Sequence, residues 1–251
     1  MSRVWLTGAS SGIGAELASV LLKQGHHLAV SARQASPLQA LASRYQGQVL
    51  VLPGDLTDPG QVAAICQQID TQWGALDLVI LNAGTCEYLE PGHFDTQLVE
   101  RVITTNLLGT SHCLEHALPL LRRGQRPHLV VVSSAVTSLA LPRAGAYGAS
   151  KAALRYLVES LRIDLAAEAI DVTLVNPGFV DTPLTRRNDF PMPMRWSAER
   201  AAAHIARRLP GRPLDISFPW RFTFVLRLLG QLPPRWRLAL GRRLARPSQE
   251  S

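Results

Sequence analysis

Short apolar runs without polar alternation recur along this chain, separated by longer stretches with helical spacing. No other feature restricts the fold as strongly. The runs at 3–7, 27–32, 48–53, 76–81, 128–134 and 171–176 are dense in Val, Leu and Ile. A strand that is apolar on both faces belongs in a parallel sheet covered by helices on both sides. The segments 13–24, 37–45, 59–73, 94–122 and 147–168 carry the helical period between those runs. Strand and helix in repeated alternation predict an α/β, doubly wound parallel sheet with three layers. A chain of 251 residues, 47% of them hydrophobic, can bury such a core in one domain. Beyond the sheet segments, 179–196 has no clean period and reads as a loop or short lid helices. Ser197 can cap a helix running to about Arg208, and 214–218 reads as a final strand. The expected organisation is a main domain over 1–217 and a basic, apolar C-terminal extension over 218–251.

In such sheets ligands bind beyond the carboxyl ends of the strands. The turn after Thr7, the Asn82-Ala83-Gly84 triplet, the Ser133-Ser134 pair and the Asn176-Pro177-Gly178 triplet all fall at those ends. The first of these is Gly8-Ala9-Ser10-Ser11-Gly12-Ile13-Gly14, between the first strand and the first helix. Its glycines let the backbone turn tightly and approach a pyrophosphate, while the helix start offers free N–H groups and a positive dipole end. After strand two, a dinucleotide site needs a group that reads the adenosine ribose. The strand runs out through Ala32 into Arg33, with no carboxylate. A guanidinium makes paired, charged bonds to a 2′-phosphate, so Arg33 favours NADP(H) over NAD(H), the alternative cofactor.

Tyr147 and Lys151 stand four residues apart in a helical segment and share one face, with Ser134 thirteen residues before Tyr147. An ammonium beside a phenol favours the phenolate, so the Tyr147 pKa is expected to fall toward working pH. The Ser134 hydroxyl can hold a carbonyl oxygen nearby. The three together suit moving a proton on and off oxygen.

With those residues in place, the sequence resembles the short-chain dehydrogenase/reductase family, in its branch of about 250 residues. The resemblance covers roughly residues 1–185. It rests on the glycine turn, Asp55, Asn82-Ala83-Gly84, Asn106, Ser134, Tyr147 with Lys151, and Asn176-Pro177-Gly178 with Thr182, in that order. The resemblance implies a Rossmann-type fold and the following roles. Tyr147 exchanges a proton with the substrate oxygen, and Ser134 orients the carbonyl. Lys151 lowers the Tyr147 pKa and bonds the nicotinamide ribose. Asn106 supports a water that relays protons through Lys151. Asp55, with Leu56 beside it, meets the adenine, and Asn82, Ala83 and Gly84 line the cofactor. Pro177, Gly178, Val180 and Thr182 flank the nicotinamide, Thr182 bonding its carboxamide. Hydride then moves between the nicotinamide and the carbon of a carbonyl or secondary alcohol. Related enzymes are dimers or tetramers joined through the long helices near 94–122 and 147–168, so a homo-oligomer is expected. A nucleotide-sensing protein of the same fold without significant turnover is the alternative.

The segments 86–89, 137–142 and 179–196 should surround the reacting end. Ala135, Leu139, Leu141, Phe190, Met192, Met194 and Trp196, in or beside them, are apolar, which suits a lipophilic ketone, aldehyde or alcohol. The net charge of +7 is uneven: ten Arg face only Asp215 and Glu250 from Arg207 onward, a net of +8. The remainder carries 16 basic and 17 acidic residues. That tail contains no nucleic-acid-binding module, so nucleic acid is not an expected partner. Within 218–244, aromatic and leucine side chains interleave with Arg221, Arg227, Arg235, Arg237, Arg242 and Arg243. Such a stretch can lie in a membrane interface, cover the substrate pocket or form a subunit contact. Three scattered cysteines form neither a metal pattern nor a disulfide framework, and His112 with His116 has no evident third ligand, so no metal is expected. The chain runs from Met1 straight into its first apolar run, with no leader pattern, and a cytoplasmic protein is expected.

Overall fold

A computed structural model describes residues 1–245, apart from the side chain of Arg187. Residues 246–251 of the expected extension lie outside the described residues. Seven parallel strands form the central sheet in the order β3-β2-β1-β4-β5-β6-β9. They are β1 (Arg3–Thr7), β2 (His27–Ser31), β3 (Val49–Val51), β4 (Leu78–Leu81), β5 (His128–Val132), β6 (Asp171–Pro177) and β9 (Asp215–Phe218). A short parallel pair, β7 (Val180–Asp181) and β8 (Trp196–Ser197), brackets the irregular segment.

Every strand of the central sheet but β9 feeds two apolar cores because successive side chains point to opposite faces. Val4, Leu6, Leu28, Val30, Ile80, Val130 and Val132 enter one core. Trp5, Ala29, Val79, Leu81, Leu129 and Val131 enter the other. The first core is closed by α1 (Gly12–Lys23), α2 (Ala35–Arg44) and α7 (Ala198–Arg208). The second is closed by α3 (Pro59–Trp73), α5 (Gly109–Arg122) and α6 (Gly145–Ala166). Burial on both faces explains why the sheet strands before β9 show no polar alternation, whereas the edge strand β9 alternates. The result is the doubly wound, three-layer α/β arrangement expected from the sequence.

Local chemistry sets the helix ends. Asp58 accepts from the Gly60 and Gln61 N–H groups at the start of α3, Pro59 follows it, and Gly74 ends the helix in the left-handed region at φ +69°. Ser197 caps α7 by accepting from the Arg200 N–H.

The expected single helix over 94–122 is interrupted. α4 (Thr96–Ile103) passes through a π turn, Thr104–Leu108, before α5 begins. Asn106 lies in that turn, fully buried. Its amide accepts from the Thr85 N–H at 2.7 Å and donates to the Thr85 carbonyl and the Ser150 hydroxyl, each at 2.9 Å. A buried amide needs these partners, and the π turn aims it at the loop after β4. The tail, beyond β9, folds as two helices, α8 (Trp220–Gly230) and α9 (Pro234–Leu244). α8 packs on β9 and on the 3₁₀ turn Ala135–Ser138. No helix among the described residues is long and apolar enough to cross a membrane.

Candidate active site

The carboxyl ends of β1, β4, β5 and β6 form one edge, and the motifs singled out in the sequence meet there. Thr7 ends β1 beside β4. Its hydroxyl accepts from the Asn82 and Ala83 N–H groups at 3.0 and 3.1 Å. The Asn82 amide donates in return to the Thr7 and Gly8 carbonyls. The glycine turn is thereby pressed against the loop after β4. Gly8 has φ +69° and Gly12 +55°, a region that favours glycine. A Cβ on Gly14 would stand 2.1 Å from the Gly8 carbonyl oxygen. The N-cap residue Ser11 makes no side-chain cap, and no acidic residue lies in the first turn of α1. The backbone N–H groups and positive dipole end near Ser10, Ser11, Gly12 and Ile13 are therefore left for an anion, a fit to a dinucleotide's pyrophosphate.

Gly84 packs beneath the next group. A Cβ there would lie 3.0 Å from Asn106 Oδ1 and 3.3 Å from Lys151 Nζ. Ser150 donates to the Tyr147 carbonyl at 2.8 Å, so the Asn106 network reaches the first turn of α6. Ser134 follows β5 and accepts from the Val136 N–H, and its hydroxyl acts on the Tyr147 phenol by lowering its pKa. Ser133 turns the other way and donates to the Lys151 carbonyl.

The expected effect of Lys151 on Tyr147 is corrected by the structure. Nζ donates to the Val132 carbonyl at 3.0 Å, and it is not what sets the phenol's acidity. Burial pushes the Tyr147 pKa above its ordinary range, the nearby Cys86 adds to this, and the Ser134 hydroxyl opposes it. Burial also brings the Lys151 ammonium down to about 8. One helix face does hold both side chains, yet burial is the largest cause of the shift in each. The phenol is consequently a protonated donor at neutral pH.

Pro177 and Gly178 close the far wall. Gly178 donates to the Phe218 carbonyl and lies under Phe222, whose ring would be 2.8 Å from a Cβ at that position. The Thr182 methyl stands 3.0 Å from where a Cβ on Gly12 would be, so the segment after buried Val180 leans over the glycine turn. At the opposite rim Arg33 is exposed just beyond β2 and takes part in none of the ion pairs among the described residues. Asp55 uses one carboxylate oxygen to accept from the Thr57 N–H and hydroxyl, and the Leu56 carbonyl meets His112.

Among the apolar residues expected at the reacting end, Ala135, Leu139 and Leu141 cluster with Phe222, Leu226 and Leu229 of α8. Phe190 meets Tyr88 and Phe179 edge-on. Trp196 is a correction: it stacks on Phe218 at 5.0 Å, meets His204 and packs with the α1/α7 core, not the cleft. Met194 is half exposed, and Met192 receives a bond from Asn188. Sequence reasoning missed Arg143, which bonds the Leu89 carbonyl, Glu90 and Asp189 and so ties the loop after β4 to the irregular segment before β8. An isolated Arg in a loop carries no periodic signal. It also missed Phe222 as a wall residue, because its contact with Gly178 joins distant parts of the chain.

A family model described as short chain dehydrogenase matches residues 2–190. A Myxococcus xanthus protein described as an uncharacterized oxidoreductase is 35% identical over 95% of this chain and 96% of its own. The 11-beta-hydroxysteroid dehydrogenase-like 3 protein of Arabidopsis thaliana is 35% identical over 72% of this chain and 60% of its own. Among solved structures, the Pseudomonas aeruginosa RhlG/NADP active-site complex is similar with a TM-score of 0.80 and 28% identity, covering 88% of this chain and 96% of that one.

The depressed Lys151 pKa has a measurable consequence for stability. The folded protein binds fewer protons than the unfolded chain between pH 8 and the ordinary value of 10.5. Stability therefore rises with pH across that window, and the burial penalty is fully present below pH 8. The shift is worth about 3 kcal/mol, offset by about 1 kcal/mol for the bond to Val132. Lys151→Met should be more stable than the wild type by about 2 kcal/mol at pH 7. Urea denaturation should show that gap closing by pH 10; a gap that is absent or independent of pH contradicts the assignment.

Proposed function

Because this chain belongs to the short chain dehydrogenase family, we propose that it is an NADP(H)-dependent oxidoreductase interconverting a lipophilic carbonyl compound and its alcohol. The observation that carries the reading is the Ser134–Tyr147 hydroxyl pair beside buried Lys151, on the sheet edge that also bears the bare glycine turn.

The dinucleotide would lie with its pyrophosphate on Gly8, Ser10, Ser11, Gly12, Ile13 and Gly14. Its adenosine end would reach Arg33, Asp55 and Leu56, and its nicotinamide end Asn82, Ala83, Gly84, Pro177, Gly178, Val180 and Thr182. When bound, it supplies or accepts the hydride. The protein's own groups handle the oxygen. Ser134 holds the carbonyl oxygen by donating a hydrogen bond, and Tyr147, kept protonated by burial, delivers its proton to that oxygen as negative charge develops. Lys151 bonds the nicotinamide ribose and restores the Tyr147 proton, with Asn106 fixing the helix turns that set their spacing. A protonated phenol is the form that donates to the oxygen when the carbonyl is reduced.

Exposed Arg33, without a carboxylate partner, supports NADP(H), as does likeness to a protein solved with NADP. The apolar wall of Ala135, Leu139, Phe190 and Phe222 supports a lipophilic substrate, in keeping with the steroid dehydrogenase-like name of one relative. We propose a homo-oligomer joined through α4–α5 and α6, whose outer faces expose Leu108, Tyr156 and Ile163.

Two substitutions test this reading. Tyr147→Phe should lower kcat/KM at least ~100-fold in an NADPH-consumption assay with lipophilic ketones and aldehydes, while NADPH binding persists. Turnover close to wild type would remove the proton role, and binding without turnover in the wild type would favour the nucleotide-sensing alternative. Arg33→Ala should raise KM for NADPH by about 10-fold or more and leave KM for NADH nearly unchanged. Equal effects on the two would exclude Arg33 as the 2′-phosphate reader.

A further inference from the structure

The C-terminal helices have two faces with opposite chemistry. The inner face of α8 roofs the cleft: Phe222 covers Gly178, and Leu226 and Leu229 pack on Ala135 and Leu139 beside Ser134. At its end, Gly230 approaches so closely that a Cβ would lie 1.9 Å from the Ser138 carbonyl oxygen. The roof is thus held by backbone contact and is not a loose appendage.

The outer face is apolar where a solvated helix would be polar. Trp220, Phe224 and Leu228 follow one another at four-residue spacing, opposite the inner residues, and are 68%, 59% and 56% exposed. α9 buries no residue and exposes Trp236, Leu238 and Leu244. Between Trp220 and Leu244 there are six Arg and no Asp or Glu. An apolar strip with indole rings, flanked by cations alone, has the composition of a helix that lies in the interface of an anionic bilayer.

A second copy of this chain fits the face less well. A two-fold contact would place the same patch against itself, setting six Arg against six with no carboxylate to pair them. An anionic lipid surface offers both acyl chains for the rings and phosphates for the guanidinium groups.

We propose that α8 and α9 dock the protein on an anionic membrane surface, roof side down, so that the cleft receives a substrate carried in lipid. The docking itself stands on the two helices; only the delivery of substrate rests on the function proposed above. Partition and turnover are separate readouts, so failure of one is distinguishable from failure of the other.

The test is cosedimentation of the full chain with phosphatidylcholine vesicles, with and without phosphatidylglycerol. Wild type should partition onto the mixed vesicles, at least ~10-fold more weakly onto phosphatidylcholine alone, and be released by high salt. The variant Trp220→Ser/Phe224→Ser/Leu228→Ser should lose partition by at least ~10-fold while its NADPH binding is unchanged. In the wild type, brominated lipid should quench the exposed tryptophans Trp220 and Trp236, a readout that needs no variant. Wild type remaining in the supernatant, equal partition of the variant, or absence of quenching would overturn the proposal. So would a wild-type dimer that ignores vesicles and becomes monomeric in the variant, which would make a second copy the occupant.

Discussion

The close approach of two backbones at the ends of β1 and β4 underlies everything at the candidate site. Thr7 and Asn82 exchange hydrogen bonds across this junction, and Gly8 lies so near Ala83 that a Cβ would meet its Cα at 2.9 Å. Gly14 lets the first turn of α1 sit on the same spot. The turn can then present free N–H groups outward because its inward side is already satisfied. Removing any of these small residues would force the helix away from the sheet edge and disperse the donors.

A second junction fixes the reacting end. Asn106 joins the loop after β4 to α6 through Thr85 and Ser150, and Lys151 closes the loop by reaching back to β5. Burial of these groups keeps the phenol protonated and makes the ammonium easier to deprotonate. For both groups the charged form costs free energy in the protein interior.

The strands and the order of helices were legible because both rest on local pattern. β1 and α3 have the expected limits, since an apolar run ending at a glycine turn and an Asp-Pro start with a Gly stop are chemical boundaries. The motif residues were legible too, because Tyr147 and Lys151 share a helix face by spacing alone. Other features depend on contacts that periodicity does not encode. The π turn at Asn106 arises from the bonds of one buried amide within an otherwise helical pattern. Trp196 is an apolar side chain closing the irregular segment 179–196 and is expected at the cleft on that ground, yet pairing of β7 with β8 turns it toward Phe218 and α7. The sign of the Tyr147 shift is set by burial, which sequence spacing does not report. Phe222 became a wall of the cleft only through the pairing of β9 with β6, which sets Pro177 opposite Phe218.

The most direct measurement is a fluorescence titration of NADPH against the wild type and Gly14→Ala, with circular dichroism as the check on folding. The added methyl would collide with the Gly8 carbonyl oxygen at 2.1 Å and displace the helix start. The account predicts saturable binding by the wild type and a dissociation constant raised about 100-fold in a folded variant. Equal affinity in the two proteins, or a wild type that does not bind NADPH, would contradict it.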